Sequence, residues 1–219
     1  MAIILYKVDR SPPVRAVLMT IEILGIEVQT IDVNTFAGEH LKPEYIKKNP
    51  IHTVPLLEDG DFILSDSHAI ITYLVSRYGK DMKEKLYPTD LKLRATIDQR
   101  LFFDTSILFP RLRAIAFPIF RGQKIESKLI EDIEETYGFL EKYLEKSIYL
   151  VTDHVTLADV SCVASVSSSN CIVPIDEKYV KLRTWFDRLK GENWYQKGNV
   201  PGLNDLVKVI KESLEKSEA

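Results

Sequence analysis

The sequence predicts a small α/β sheet domain followed by a larger, wholly helical one. Three observations carry that expectation: apolar runs of strand length alternate with helical spacing over residues 1–79, helical spacing persists alone over residues 89–219, and a charged segment closed by proline, GKDMKEKLYP at 79–88, separates the two regimes. Residues 80–88 read as the linker.

The first run, AIILY at 2–6, reads as a buried strand. Val14, Val17, Leu18, Ile21 and Leu24 then share one helix face, and Gly25 stops that helix. EVQTIDV at 27–33 follows after a very short connection, which makes strand, helix and strand a compact unit with a parallel pair. A short helix begins behind Pro43. VPLLED at 54–59 and FILSD at 62–66 flank Gly60-Asp61 as a hairpin, and Ile70, Ile71, Leu74 and Tyr78 return to helical spacing over 67–78. Beyond the linker, Leu93, Ile97, Leu101, Leu108, Leu112 and Ile115 form one long stripe, which Pro110 kinks. Asp104 enters that stripe as a polar residue that needs a hydrogen bond. Another helix spans 127–144, and TLADV opens a further one. There Thr156 and Asp159 make a capping-box pair, and Val155 and Val160 make the staple.

Composition narrows the function. The chain has 29 basic and 32 acidic residues, a net charge of −3, and no long run of like charges, so nothing marks a nucleic-acid or anionic-membrane surface. The N-terminal apolar run is broken by Lys7, Asp9 and Arg10, too early for a signal peptide or a membrane span. Two cysteines, Cys162 and Cys171, make no disulfide framework and fit a reducing, cytoplasmic compartment. The spacings of His40, His52 and His68 match no zinc pattern, and no metal is expected.

Four segments carry candidate chemistry. In SPPVRAVLM, Ser11 occupies the N-cap position and Pro12 the first helical one. A plain cap is one reading. The other starts from the two prolines, which delete orphan N–H donors and leave the serine hydroxyl as a movable donor at a positive helix end, beside the carboxyl end of the first strand. No G-x-S-x-G elbow surrounds Ser11, so donation to a thiolate fits better than nucleophilic attack. The sulfur must come from a ligand, since no cysteine lies in the first 80 residues. In NPIHTVP, a cis Val54-Pro55 bond would free the Val54 backbone for an extended peptide, although most X-Pro bonds are trans. Asp66 and Ser67 open a helix, either as caps alone or as a carboxylate for an amine and donors for a carboxylate.

The segments SPPVRAVLM, AGEHLKPEY, NPIHTVPLLEDG, SDSHAIITYL, DQRLFFDTSILFPR, TLADVS and VPIDEKYVKLRTWFDRL together resemble the cytosolic glutathione transferases of insects, epsilon class more than delta. The resemblance spans essentially the whole chain. It implies a thioredoxin-like N-terminal domain, an all-α helical-bundle C-terminal domain, and a homodimer that conjugates glutathione to apolar electrophiles in detoxification, with dehydrochlorination or peroxide reduction within the family's reach. By the same resemblance, Ser11 stabilises the glutathione thiolate. Thr53, Val54 and Pro55 hold the cysteinyl backbone, His52 and His40 the glycyl carboxylate, and Asp66, Ser67 and His68 the γ-glutamyl end. Arg111 is assigned to glutathione or, alternatively, to a solvated surface. The electrophile pocket is expected from Pro13, Ile107, Pro110, Ala114, Phe117 and Pro118, closed by Leu206 and Ile210. A non-catalytic, glutathione-dependent ligand carrier on the same fold stays open as the alternative. A thiol–disulfide redox protein would need a cysteine near residue 11, and none is there.

Overall fold

The computed structural model describes residues 2–218, apart from the side chains of residues 214 and 216–218. Strand β1 (Ile3–Lys7) leads through Ser11 into helix α1 (Pro12–Leu24), which ends on Gly25 at φ 58°. Glycine adopts that left-handed stop without a Cβ penalty, and its N–H caps the Ile21 carbonyl. β2 (Val28–Asp32) runs parallel to β1, pairing Ile3 with Val28 and Lys7 with Asp32. A 3₁₀ turn (Glu39–Leu41) and α2 (Pro43–Lys48) lead to the hairpin of β3 (Leu56–Asp59) and β4 (Phe62–Ser65), and β3 lies antiparallel to β1. The sheet order is β2-β1-β3-β4. Helix α3 (Ser67–Tyr78) completes the first domain.

The segment read as a linker is not extended. It holds a 3₁₀ turn (Lys80–Met82) and a single-turn helix, α4 (Lys83–Leu86). Leu86 is the reason, since it is buried in the main core and ties the crossing to both domains.

Helix α5 (Leu91–Phe103) passes through a π turn (Asp104–Leu108) into α6 (Phe109–Phe120). The expected irregularity falls one turn before Pro110. That proline lacks the N–H the Ser106 carbonyl would receive, and its ring crowds that carbonyl; the register widens so that Phe109 N–H reaches back to the Asp104 carbonyl. Then follow α7 (Ser127–Tyr143), α8 (Leu157–Asn170), α9 (Val180–Lys190), α10 (Asn193–Gly198) and α11 (Val200–Glu218). No helix among the described residues is long and apolar enough to cross a membrane.

Helix α8 is buried along almost its whole length, and its first turn is fixed by the Thr156–Asp159 capping box. The buried Asp159 carboxylate also accepts from Leu150 N–H and Trp185 Nε1–H, each at 2.9 Å. Helix α1 packs against α3, α8 and α10. Its buried set therefore exceeds one stripe and includes Arg15, Ala16 and Met19 beside Val14 and Val17. One hydrophobic core runs through both domains from Leu5 and Val17 to Ile97, Val163 and Trp185.

Candidate active site

Ser11 stands at the carboxyl end of β1 as the N-cap of α1, with φ −75° and ψ 121°. Its N–H donates to the Val8 carbonyl at 2.9 Å and its own carbonyl accepts Arg15 N–H at 3.0 Å, so the backbone is held on both sides. The hydroxyl makes no capping bond, and the first turn carries Pro12 and Pro13 and no acidic residue. The residue remains partly exposed at the positive end of a 13-residue helix.

Neighbouring residues wall this end. Arg10 stacks on the exposed Phe36 ring at 4.2 Å and donates to Thr35 Oγ1 at 3.3 Å, which ties the loop after β2 to the one before α1. Helix α11 arrives at Gly202, where a Cβ would lie 1.9 Å from the Asp9 carbonyl oxygen; only glycine permits that approach. One turn on, Leu206 and then Ile210 are buried against Ile119 of α6. They form a closed cluster between α6 and α11 rather than an open lining.

The second rim is the loop between α2 and β3. His52 adopts φ 44° and the Val54-Pro55 bond is cis. The Thr53 carbonyl is anchored by Tyr45 OH at 2.7 Å and Asn49 Nδ2 at 2.9 Å. His40 lies 6.2 Å from His52, ring centre to ring centre, and its buried Nδ1 has no protein partner among the described residues.

The third rim is the start of α3. Asp66 adopts φ 74° and its Oδ1 accepts from His68 and Ala69 N–H at 2.8 and 3.1 Å. Ser67 is buried beside it. The His68 ring turns toward the helical domain. Its Nε2 lies 3.1 Å from Oδ2 of the buried Asp104, which also accepts Ser161 Oγ–H at 2.6 Å, and its Nδ1 lies 3.4 Å from Asp66. Burial alone would depress the imidazole, but the two carboxylates outweigh it and raise His68 from 6.5 to about 9. Contact with His68, opposed by burial, holds Asp66 below the usual carboxylate value.

On α6, Arg111 is committed to α7: it donates to the Asp132 carbonyl and Thr136 Oγ1, both at 2.9 Å, and to Glu135 at 2.6 Å. Ala114 and Pro118 share that face at helical spacing, Ile107 and Pro110 precede it, and Phe117 and Phe120 are exposed. The cation over Phe117 is Arg113, at 5.2 Å, with Arg121 at 5.8 Å. Sequence reasoning missed Arg113. Residues 111 and 113 differ by about 200° around a helix, and only the α7 contacts decide which faces outward. It also missed Asp104 as the partner of His68, because nothing local joins residues 36 apart. Among the described residues, no group of three or more His, Cys, Asp or Glu could hold a metal.

Residues 5–82 match the glutathione S-transferase N-terminal domain family and residues 97–193 the C-terminal domain family. The chain belongs to the glutathione S-transferase family. Within it, the likeness is to the insect epsilon class: a housefly (Musca domestica) epsilon-class structure superposes with TM-score 0.92 at 46% identity, covering 96% of this chain and 98% of that one. A Drosophila mojavensis homologue solved with bound glutathione gives TM-score 0.93 at 42% identity, covering 97% of each chain. Manduca sexta glutathione S-transferase 1 is 51% identical over 95% of this chain and 96% of its own.

Proposed function

We propose that this transferase activates glutathione as a thiolate at Ser11 and conjugates it to apolar electrophiles in the cytoplasm, as a detoxifying enzyme. The observation that carries the reading is the Ser11 hydroxyl: it sits at an N-cap yet makes no capping bond, so it is free to donate to a sulfur anion at the positive end of α1. The starts of β3 and α3 lie at the same end of the sheet as Ser11, since Leu56 pairs with both Tyr6 and Ser65. His40 and His52 suit the glycyl carboxylate. The cis Val54-Pro55 backbone, whose Val54 N–H and carbonyl have no backbone partner among the described residues, suits the cysteinyl peptide group. Asp66 and Ser67, at the N-terminus of α3, suit the γ-glutamyl amine and carboxylate, with His68 braced behind them. Asp66 and His52 both hold positive φ, a cost that clusters at binding sites. Pro13, Phe117 and Phe120 supply apolar surface for the electrophile. Exposed Phe62, Ile63, Leu91, Leu93 and Phe102 on β4 and α5 support a homodimer.

The test is an ultraviolet titration of the thiolate of bound glutathione in the native enzyme and in Ser11→Ala, with turnover of a generic aromatic electrophile measured in parallel. We expect a lowered thiol pKa in the native enzyme. Loss of the charge-assisted bond raises it by about one to two units and lowers kcat/KM about 10- to 100-fold. A ligand carrier would bind glutathione with an unshifted thiol and show activity indifferent to the substitution.

A further inference from the structure

Arg15 is fully buried, and among the described residues no carboxylate pairs with it. Its guanidinium is met by neutral groups only: Nη1 donates to Asn199 Oδ1 at 2.6 Å and Ser167 Oγ at 3.2 Å, and Nη2 donates to Ser168 Oγ and to the Ala164 carbonyl at 3.3 Å. Its Nε has no partner among the described residues. The titratable groups facing it are Tyr195 of α10 and Cys171 after α8, and burial pushes both upward, so both stay neutral. The acids nearest the mouth of α1 are engaged elsewhere, Asp9 with Lys7 at 2.7 Å and Asp205 with the charge of Arg10. Burial lowers Arg15 from 12.5 to about 10, which leaves it charged at neutral pH. A buried cation without a counter-ion is costly, and proteins ordinarily pair it.

The position of this charge explains its retention. Arg15 lies one helical turn after Ser11, and its N–H donates to the Ser11 carbonyl. Its Cδ lies 3.0 Å from the same Gly202 Cβ position that would strike the Asp9 carbonyl, so its stem passes under the loop that carries Ser11. We propose that Arg15 is an electrostatic positioning residue: its uncompensated charge, adding to the α1 dipole, favours the thiolate of glutathione docked at Ser11, and that anion is the counter-charge the protein omits. This rests on the thiolate reading above. A unit charge roughly 10 Å away at an effective dielectric of about 20 moves a thiol by about one pKa unit.

Asn199→Asp tests this with least disturbance, because it keeps the shape and the acceptor while supplying the missing carboxylate. Three quantities are measured on the full-length enzyme: the pKa of bound glutathione, the pH profile of kcat/KM, and the affinity for S-methylglutathione, which has no thiol to ionise. The thiol pKa is expected to rise by about one unit, with kcat/KM about tenfold lower on the acid limb and recovered on the alkaline limb, and S-methylglutathione affinity within about twofold. An unmoved thiol pKa in a variant that binds S-methylglutathione normally overturns the proposal. Arg15→Lys and Arg15→Gln give a second reading: lysine keeps the lowered pKa and glutamine loses it, and equal values in the two overturn the proposal as well. A native enzyme whose bound thiol titrates like free glutathione, near about 8.5, overturns the thiolate reading itself. A lowered native value that no Arg15 or Asn199 variant moves overturns only the present inference.

Discussion

His68 makes folding depend on pH in a specific window. Its folded pKa, about 9, lies above the unfolded 6.5, so its contribution is fully present below about pH 6.5 and disappears as pH rises through about 9. The corresponding free energy is about 3 kcal/mol, carried by the pair to Asp104 across the domain boundary and the local pair to Asp66. Urea unfolding at pH 6 and at pH 9.5 checks it. The native protein should lose about that much stability between the two, and His68→Gln should show a smaller change over the same interval, because it has no proton to release. A native and a variant protein with equal pH slopes would place the imidazole elsewhere than between these carboxylates. The same contact bears on the site, since His68 braces the turn on which Asp66 holds its left-handed backbone.

At the scale of elements, two junctions stand out: one seats the Ser11 loop, and the other fixes α8, on which α1 packs. The first is Gly202, where α11 touches the Asp9 carbonyl; Gly202→Ala forces α11 or the Ser11 loop to move, and turnover should fall about tenfold or more while glutathione transferase activity at elevated substrate recovers only in part. Steady-state kinetics of that variant decide it, and unchanged kcat and KM would mean that α11 does not position Ser11. The second is the start of α8. Asp159→Ala removes the capping box and strands the Trp185 indole and the Leu150 and Thr156 amides, a loss of about 3–5 kcal/mol measurable by denaturant unfolding. Much of this layer was legible beforehand, since serine, two prolines and a terminal glycine bound α1, Asp66 starts α3, and Thr156 with Asp159 announces α8. These are local signals with local causes. Facing was less legible: α1 reads as a one-sided helix but is enclosed by α3, α8 and α10, and α6 offers apolar residues all round, so its spacing alone does not say that Arg111 belongs to α7 and Arg113 to the open side. Arg15 was illegible for the same reason, because the serines and Asn199 that meet it lie about 150 to 185 residues away in sequence.

At the scale of the whole molecule, the two domains do not have separate interiors. Helix α1 belongs to the sheet by sequence, yet it buries Val17, Met19 and Arg15 as deeply as α8 buries Val163, and Leu86 carries the same core through the crossing. Detaching the helical domain would expose those side chains and strand the Arg15 guanidinium in a half-built pocket, so the sheet domain has no low-energy open state of its own. The consequence is a single cooperative unit in which the rims at the Ser11 end and the helices packed behind them are fixed together, and their geometry cannot relax in one domain alone. Native-state hydrogen exchange tests this. The amides of Leu5 in β1 and Val163 in α8 should exchange with the same opening free energy, equal to that of global unfolding. An Asp159→Ala substitution, confined by sequence to the second domain, should lower both by the same amount. If β1 amides exchange through a cheaper route that ignores the α8 substitution, the sheet opens independently, and the placement of Ser11 would then owe nothing to the helices packed behind it.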